Sequence, residues 1–186
     1  MSATVLYMSI SVDGFIAGPN ETVDNPLGDA GMRLHEWNFT GGPGADGTVY
    51  DEFMATGAVV AGRGTAEPAR YWGGDHHDGV PIFILSRTAT ESEWPLVAYV
   101  EDITAVMTRA REAASGRNVM VHGAGVTQLA LAAGVLDEIE LHVIPVLLGQ
   151  GRRLFDNLAP EHVELERTRV LEGEGGVTHM HYRVRR

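Results

Sequence analysis

The residues of this chain best suited to chemistry sit where short apolar runs stop. Asn118 to His122 (NVMVH) leads into Gly123-Ala124-Gly125, and Val126 to Ala133 (VTQLALAA) reads as a helix stopped by Gly134. Val119 and Val121 are β-branched residues in a run too short for a helix, so the run reads as a buried strand. A strand that feeds through small residues into a helix leaves free backbone N–H groups and the positive end of the helix dipole at the turn. That is an anion site. Glycine lets the backbone approach a diphosphate where a Cβ would block it. Taken alone, the turn serves equally well as a tight connection with no ligand. Two more junctions weigh against that. Ala58 to Ala61 (AVVA) runs into Gly62-Arg63-Gly64-Thr65, and Val80 to Ser86 (VPIFILS) ends at Ser86-Arg87-Thr88. In an open α/β sheet, ligands bind outside the carboxyl ends of the strands. Three such tips put donors and two cations on one rim. If a dinucleotide binds there, two arginines and a serine near its adenosine end favour a 2′-phosphate, and hence NADP(H) over NAD(H).

The elements that must hold these tips follow from periodicity. Thr4 to Ile10 reads as the first strand, followed by a turn at Asp13-Gly14. Pro19 to Gly47 is a long connection with a helix expected over Asp29 to Asn38, in the manner of a lid. Trp37 and Phe39 in it either cover a flat ligand or pack on the sheet. Helices are expected over Thr48 to Ala55 and Asp102 to Ser115, with a short strand at Leu96 to Val100. Ile139 to Leu148 is a long apolar strand, central or covered at an interface, and Pro145 marks a bulge, a bend or an edge. Through it a homodimer is expected. Val163 to Leu171 and Val177 to Val184 form a terminal hairpin.

Composition sets the limits. The chain has 186 residues, 44% hydrophobic and 21% charged, which suits one globular domain. A formal charge of −11 argues against non-specific nucleic-acid binding or an anionic membrane surface. No apolar run approaches the roughly 20 residues that span a bilayer. The absence of cysteine and of a signal-peptide pattern suits the cytoplasm. His76-His77 and His179-x-His181 lack a third ligand at a signature spacing, so both pairs are expected on the solvated surface and no metal is expected. Met107, Met120 and Met180 are expected in the core, and Asp137-Glu138 at a solvated strand entry. A nucleophile-elbow G-x-S-x-G, a Walker lysine and a Rossmann G-x-G-x-x-G are all missing.

Beyond these features the chain resembles the RibD C-terminal domain family. The matching pieces are Ser11 to Ala17 (SVDGFIA), Gly62 to Thr65 (GRGT), Ile84 to Arg87 (ILSR) and the run from Val121 to Phe155. The resemblance implies a single α/β domain of the dihydrofolate reductase-like fold. Its mixed, mostly parallel sheet is flanked by helices and ends in an antiparallel hairpin. It also implies NADPH as hydride donor and a small heterocyclic or carbonyl substrate, as in the pyrimidine reductase half of the bacterial riboflavin-biosynthesis enzyme. Arg63 and Thr65 would meet the cofactor phosphates, and Ser86 and Arg87 the 2′-phosphate. Gly123, Ala124 and Gly125 would meet the diphosphate, with Val126, Thr127 and Gln128 entering on the helix. Ile16, Ala17 and Gly18 would lie over the nicotinamide. Asp13, Glu36 and Asp51 are the candidate proton carriers, and Trp37 and Asp51 would face the substrate. The chain departs from many relatives at Gly123-Ala124, where they have Gly-Gly, and it shows no clear ribose-phosphate clamp beyond Arg33 and Arg70. A non-catalytic NADPH-binding or ligand-sensing module is the alternative on the same fold.

Overall fold

All eight residues of Thr4–Ser11 (β1) are buried, as a strand covered on both faces requires. This computed structural model describes residues 2–39, 44–88, 91–158 and 162–185. After β1 come β2 (Phe15–Ala17), a 3-10 turn (Gly31–Leu34), α1 (Glu36–Phe39), α2 (Ala45–Met54), β3 (Ala58–Gly62) and α3 (Arg63–Ala66). A 3-10 stretch (Arg70–Gly74), β4 (Ile82–Leu85), β5 (Val97–Val100), α4 (Ile103–Ala113), β6 (Val119–His122) and α5 (Ala124–Ala132) follow. The chain closes with β7 (Glu138–Ile144), β8 (Arg152–Arg153), β9 (Leu165–Glu172) and β10 (Thr178–Val184). One sheet has the order β5-β4-β3-β6-β1-β7-β10-β9. Its strands are parallel from β5 to β7, and the β9–β10 hairpin adds antiparallel on β7. β2 and β8 form a small separate ribbon, which the sequence patterns do not reveal because its strands are so short.

The pleat sends alternate residues to opposite faces. Leu6, Met8 and Ile10 of β1 join Val60, Val121 and Ile139 against α4 and α5. Val5 and Tyr7 join Val59, Ile82 and Met120 on the other face, where Phe53 of α2 and Trp72 pack. The site lies on this second face, because Tyr7 and Ser9 point toward it near the carboxyl end of β1. Asp102 fixes the start of α4 by accepting from Ala105 N at 2.8 Å.

Three expectations change. The helix over 29–38 is two short pieces broken at His35, with Ala30 in the left-handed region just before the first. The apolar strand stops at Ile144, because Pro145 has no N–H to continue the ladder. β7 is central, paired with β1 on one edge and β10 on the other. Its apolar character comes from burial inside the sheet, so the argument for a homodimer through it falls away. Finally, Asp137 is a clamp rather than a solvated entry. It accepts from Thr4 N at 2.9 Å and from Arg111 Nη2 at 2.7 Å, tying the starts of β1 and β7 together.

Candidate active site

Register brings the three strand tips side by side. Gly62 pairs with Leu85 and Ala61 with His122, so Arg63, Ser86 and Gly123 follow the ends of three adjacent parallel strands. Gly123 caps α5 at φ 93° and has no side-chain cap bond. The first helical bond there runs from Thr127 N to Gly123 O, so the N–H groups of Ala124, Gly125 and Val126 find no acceptor within the helix. A Cβ on Gly123 would lie 2.1 Å from Thr65 Oγ1, whereas one on Gly125 would meet nothing within 4 Å. The rim is therefore an open cradle of donors. Arg63 donates to Glu67 Oε1 at 2.6 Å and to Thr88 Oγ1 at 2.8 Å, and Arg87 is exposed beyond the buried Ser86. Gln128 donates to Leu154 O, and Thr127 donates to Gly123 O, so both side chains brace the first turn of the helix.

Below the rim opens a cleft of about 440 Å³. Thr65 and Gly123 line its rim side, Ile16 and Ala17 one flank, and Trp37 the floor. Gly18 does not line it. A Cβ on Gly18 would lie 1.8 Å from Asp29 O, so Gly18 packs the following loop instead. Trp37 donates from Nε1 to Ser9 Oγ at 2.9 Å, which fixes the indole against β1. Its ring lies 4.5 Å from that of His142. Of the two readings open for Trp37, the structure shows the packing on the sheet, and the packed indole also lines the cleft. Phe39 lines the cleft too, although largely exposed.

His142 heads a buried chain of polar groups. It lies directly across the β7–β10 ladder from His179, with the two Nδ1 atoms 2.9 Å apart. His179 Nε2 lies 2.8 Å from Asp46 Oδ1 on α2, and Asp46 also accepts from Glu174 N. His142 lines the cleft, and burial, then the neighbouring His179, holds its pKa well below the ordinary value. His35 and His122, also in the cleft wall, are held at about 4, each mainly by burial. His179 and His77 are thus buried rather than solvated. Each pair was expected at the surface because only the sheet register and the packing of α2 supply partners: Asp46 for His179, and Thr56 Oγ1 at 3.1 Å for His77.

The expected carboxylates go elsewhere. Asp13 accepts from Ser11 Oγ, Leu148 N and Gly149 N, and Ser11's hydroxyl, followed by the Gly149 and Leu148 amides, holds it down to about 2. It clamps the β1–β2 turn onto the 148–149 loop and does not line the cleft. Glu36 pairs with Arg33 at 3.3 Å on the surface, and Asp51 is exposed. The inward carboxylate of α2 is Asp46. Tyr7, Ser9, His35, Asp46, His122, His142, His179, Glu21 and Arg152 are the site residues that the sequence patterns passed over. The one local signal for His142 is its place two residues after Glu140, on the same strand face.

The RibD C-terminal domain family matches residues 3–178. An uncharacterized protein, YwjB of Bacillus subtilis (strain 168), is 26% identical over 168 residues, covering 85% of each chain. Among solved structures, a riboflavin biosynthesis-like protein from Shewanella sp. PV-4 superposes with a TM-score of 0.75 at 20% identity, over 99% of both chains. A pyrimidine reductase-like protein from Corynebacterium diphtheriae gives 0.63 at 16% identity, over 100% of this chain and 92% of that one. Dihydrofolate reductase from Enterococcus faecalis, complexed with NADP(H) and RAB-propyl, gives 0.63 at 15%, over 100% of this chain and 97% of that one. The fold is dihydrofolate reductase-like, and the chain belongs to the RibD C-terminal domain family.

Proposed function

We propose that this protein is an NADPH-dependent reductase acting on a small heterocyclic or carbonyl substrate. Family membership and the shared fold support a reductase of this family. The observation that carries the finer reading is the donor-rich rim at Arg63, Ser86 and Gly123 standing directly over the cleft that Thr65 and Gly123 share with His142. The residues fit the cofactor. Gly123 leaves no room for a side chain, and the open amides beyond it suit a diphosphate. Arg63 and Thr65 would take phosphate oxygens, Ser86 and Arg87 the 2′-phosphate, and Ile16 and Ala17 the nicotinamide face. NADPH, when bound, supplies the hydride.

The proton is assigned to His142 rather than to Asp13 or Glu36. Asp46 accepts from His179 Nε2–H. When His179 is neutral, its Nδ1 accepts from His142 Nδ1–H, and the Nε2 of His142 is a bare acceptor. When His179 carries a second proton, it donates through Nδ1, and His142 holds its own proton on Nε2. A proton given up from His142 Nε2 is then replaced at Nδ1 from His179, which keeps its Nε2–H on Asp46. His142 never becomes cationic, in keeping with its depressed pKa. This is general acid catalysis with a built-in proton reserve.

Titration of NADPH and NADH against tryptophan fluorescence tests the cofactor assignment. NADPH is expected to saturate and bind at least about tenfold more tightly than NADH, with Arg87→Ala abolishing the preference. Equal binding of the two would remove the 2′-phosphate assignment. NADPH binding without oxidation across pterins, flavin precursors and quinones would leave a sensing module of the same fold.

A further inference from the structure

We propose that the cleft selects an uncharged planar ring compound and rejects its anionic analogues, a specificity set by the Arg152–Glu21 pair. This deepens the reductase reading and rests on it for the side of the cleft the ring occupies. Away from the rim the lining is rich in rings: Tyr7, Phe53, Trp72 and His122 form one edge-to-face and stacked cluster, and Trp37 lines the cleft beside His142. Ring faces of this kind favour a planar ligand. Among the described residues, Arg152 and Glu21 are the only lysine, arginine, aspartate or glutamate side chains that line the cleft. They neutralise each other, Arg152 Nη2 meeting Glu21 Oε2 in a close ion pair while Nη1 donates to Gly64 O at 3.0 Å.

The imidazoles add no charge. His35 and His122 at about 4, and His142 lower than its ordinary value, are neutral at pH 7. A phosphate or carboxylate on the ligand would lose its water and gain no unpaired cation in return, which is costly. It would also meet the Glu21 carboxylate. The uncharged polar side chains on the lining, Ser9, Asn38 and the His142 ring among them, match the N–H and C=O edges of a neutral heterocycle or quinone. Arg33 and Arg70, the other cations near the mouth, are already paired with Glu36 and Asp24 and do not line the cleft. Among the described residues, no unpaired cation lines the cleft to anchor a ribose-phosphate tail.

Matched probes read this out by equilibrium dialysis with saturating NADP⁺ present. The pairs are 6-methylpterin against pterin-6-carboxylate, and menadione against 1,4-naphthoquinone-2-sulfonate. At least one neutral member is expected to bind saturably, with its anionic partner weaker by about tenfold or more. Glu21→Gln frees Arg152 and is expected to close most of that gap, whereas Arg152→Gln leaves Glu21 unopposed and widens it. An anionic probe that binds wild type as well as its neutral partner overturns the proposal, and so does failure of both neutral rings. Binding of a neutral ring with no NADPH oxidation counts against the reductase reading and leaves the charge selectivity standing.

Discussion

His142 matters for what stands behind it. A lone buried imidazole exposed to a cleft has no fixed tautomer, but one bonded through His179 to Asp46 has its proton positions set by the carboxylate. His142→Gln is expected to lower NADPH oxidation by about 10²–10⁴-fold with NADPH affinity nearly unchanged. Asp46→Asn keeps an acceptor for His179 and so keeps the fold, but an amide can turn its N–H₂ toward His179 and no longer fixes which imidazole nitrogen carries the proton. Its rate should fall as well. Single-turnover kinetics beside fluorescence titration separates these effects. A His142→Gln enzyme with wild-type turnover would return the proton role to water or another group. Asp13, held near 2 by Ser11 and two amides, is ionised at neutral pH and therefore a poor donor.

At the scale of the element, α5 carries two glycines with opposite demands. Gly123 occupies a backbone region closed to other residues, and a Cβ there would strike Thr65. Gly123→Ala is expected to cost at least about 1–3 kcal/mol of stability, and Thr65→Ala in the same chain would recover only the steric part. Gly125 lies inside the helix with open space where a side chain would go. Gly125→Ala should therefore stabilise the protein by about 0.5–1 kcal/mol through helix propensity. If the diphosphate lies against the first turn, the same change weakens NADPH binding. Higher melting temperature with poorer cofactor affinity is the paired outcome to look for, by calorimetry and titration. An unchanged affinity would move the diphosphate off this turn.

For the whole molecule the buried imidazoles decide the response to acid. His35 and His122 stand at about 4, His76 at about 2 (burial first, then His122 and His77), and His142 well below its ordinary value. In the unfolded chain each takes a proton near 6.5. Below that pH the unfolded state holds more protons, so stability falls as pH falls, by about 1.4 kcal/mol per pH unit for each imidazole. At pH 5 the slope should approach about four protons. His181 has the opposite sign. Its pKa is raised, first by its hydrogen bond to Glu140, so its stabilisation is complete below 6.5 and lost as pH rises through the folded value. At pH 5 it is protonated in both states and adds no slope. A domain in the lower part of the ordinary range, about 5–10 kcal/mol, would then unfold before about pH 4. Urea unfolding at pH 7 and pH 5 measures this, and equal stabilities would mean that the imidazoles already accept protons in the folded state.

The sequence by itself determined what depends on near neighbours. It marked the three strand tips, the glycine turn before α5, the amphipathic α4 and the terminal hairpin, because backbone preference and side-chain period act within a few residues. It also carried the family, since the matching runs keep their order along the chain. Only the tertiary structure decided which polar groups meet. His142 and His179 are 37 residues apart, and His179 and Asp46 are 133 apart. Arg152 reaches Glu21 only because the β2–β8 ribbon folds back beside the first loop. Such pairings are set by strand order and register, for which residue periodicity carries no signal. For the same reason a carboxylate at a turn, Asp13, looked catalytic and proved to be a clamp, while two histidines that looked solvated lie in the interior.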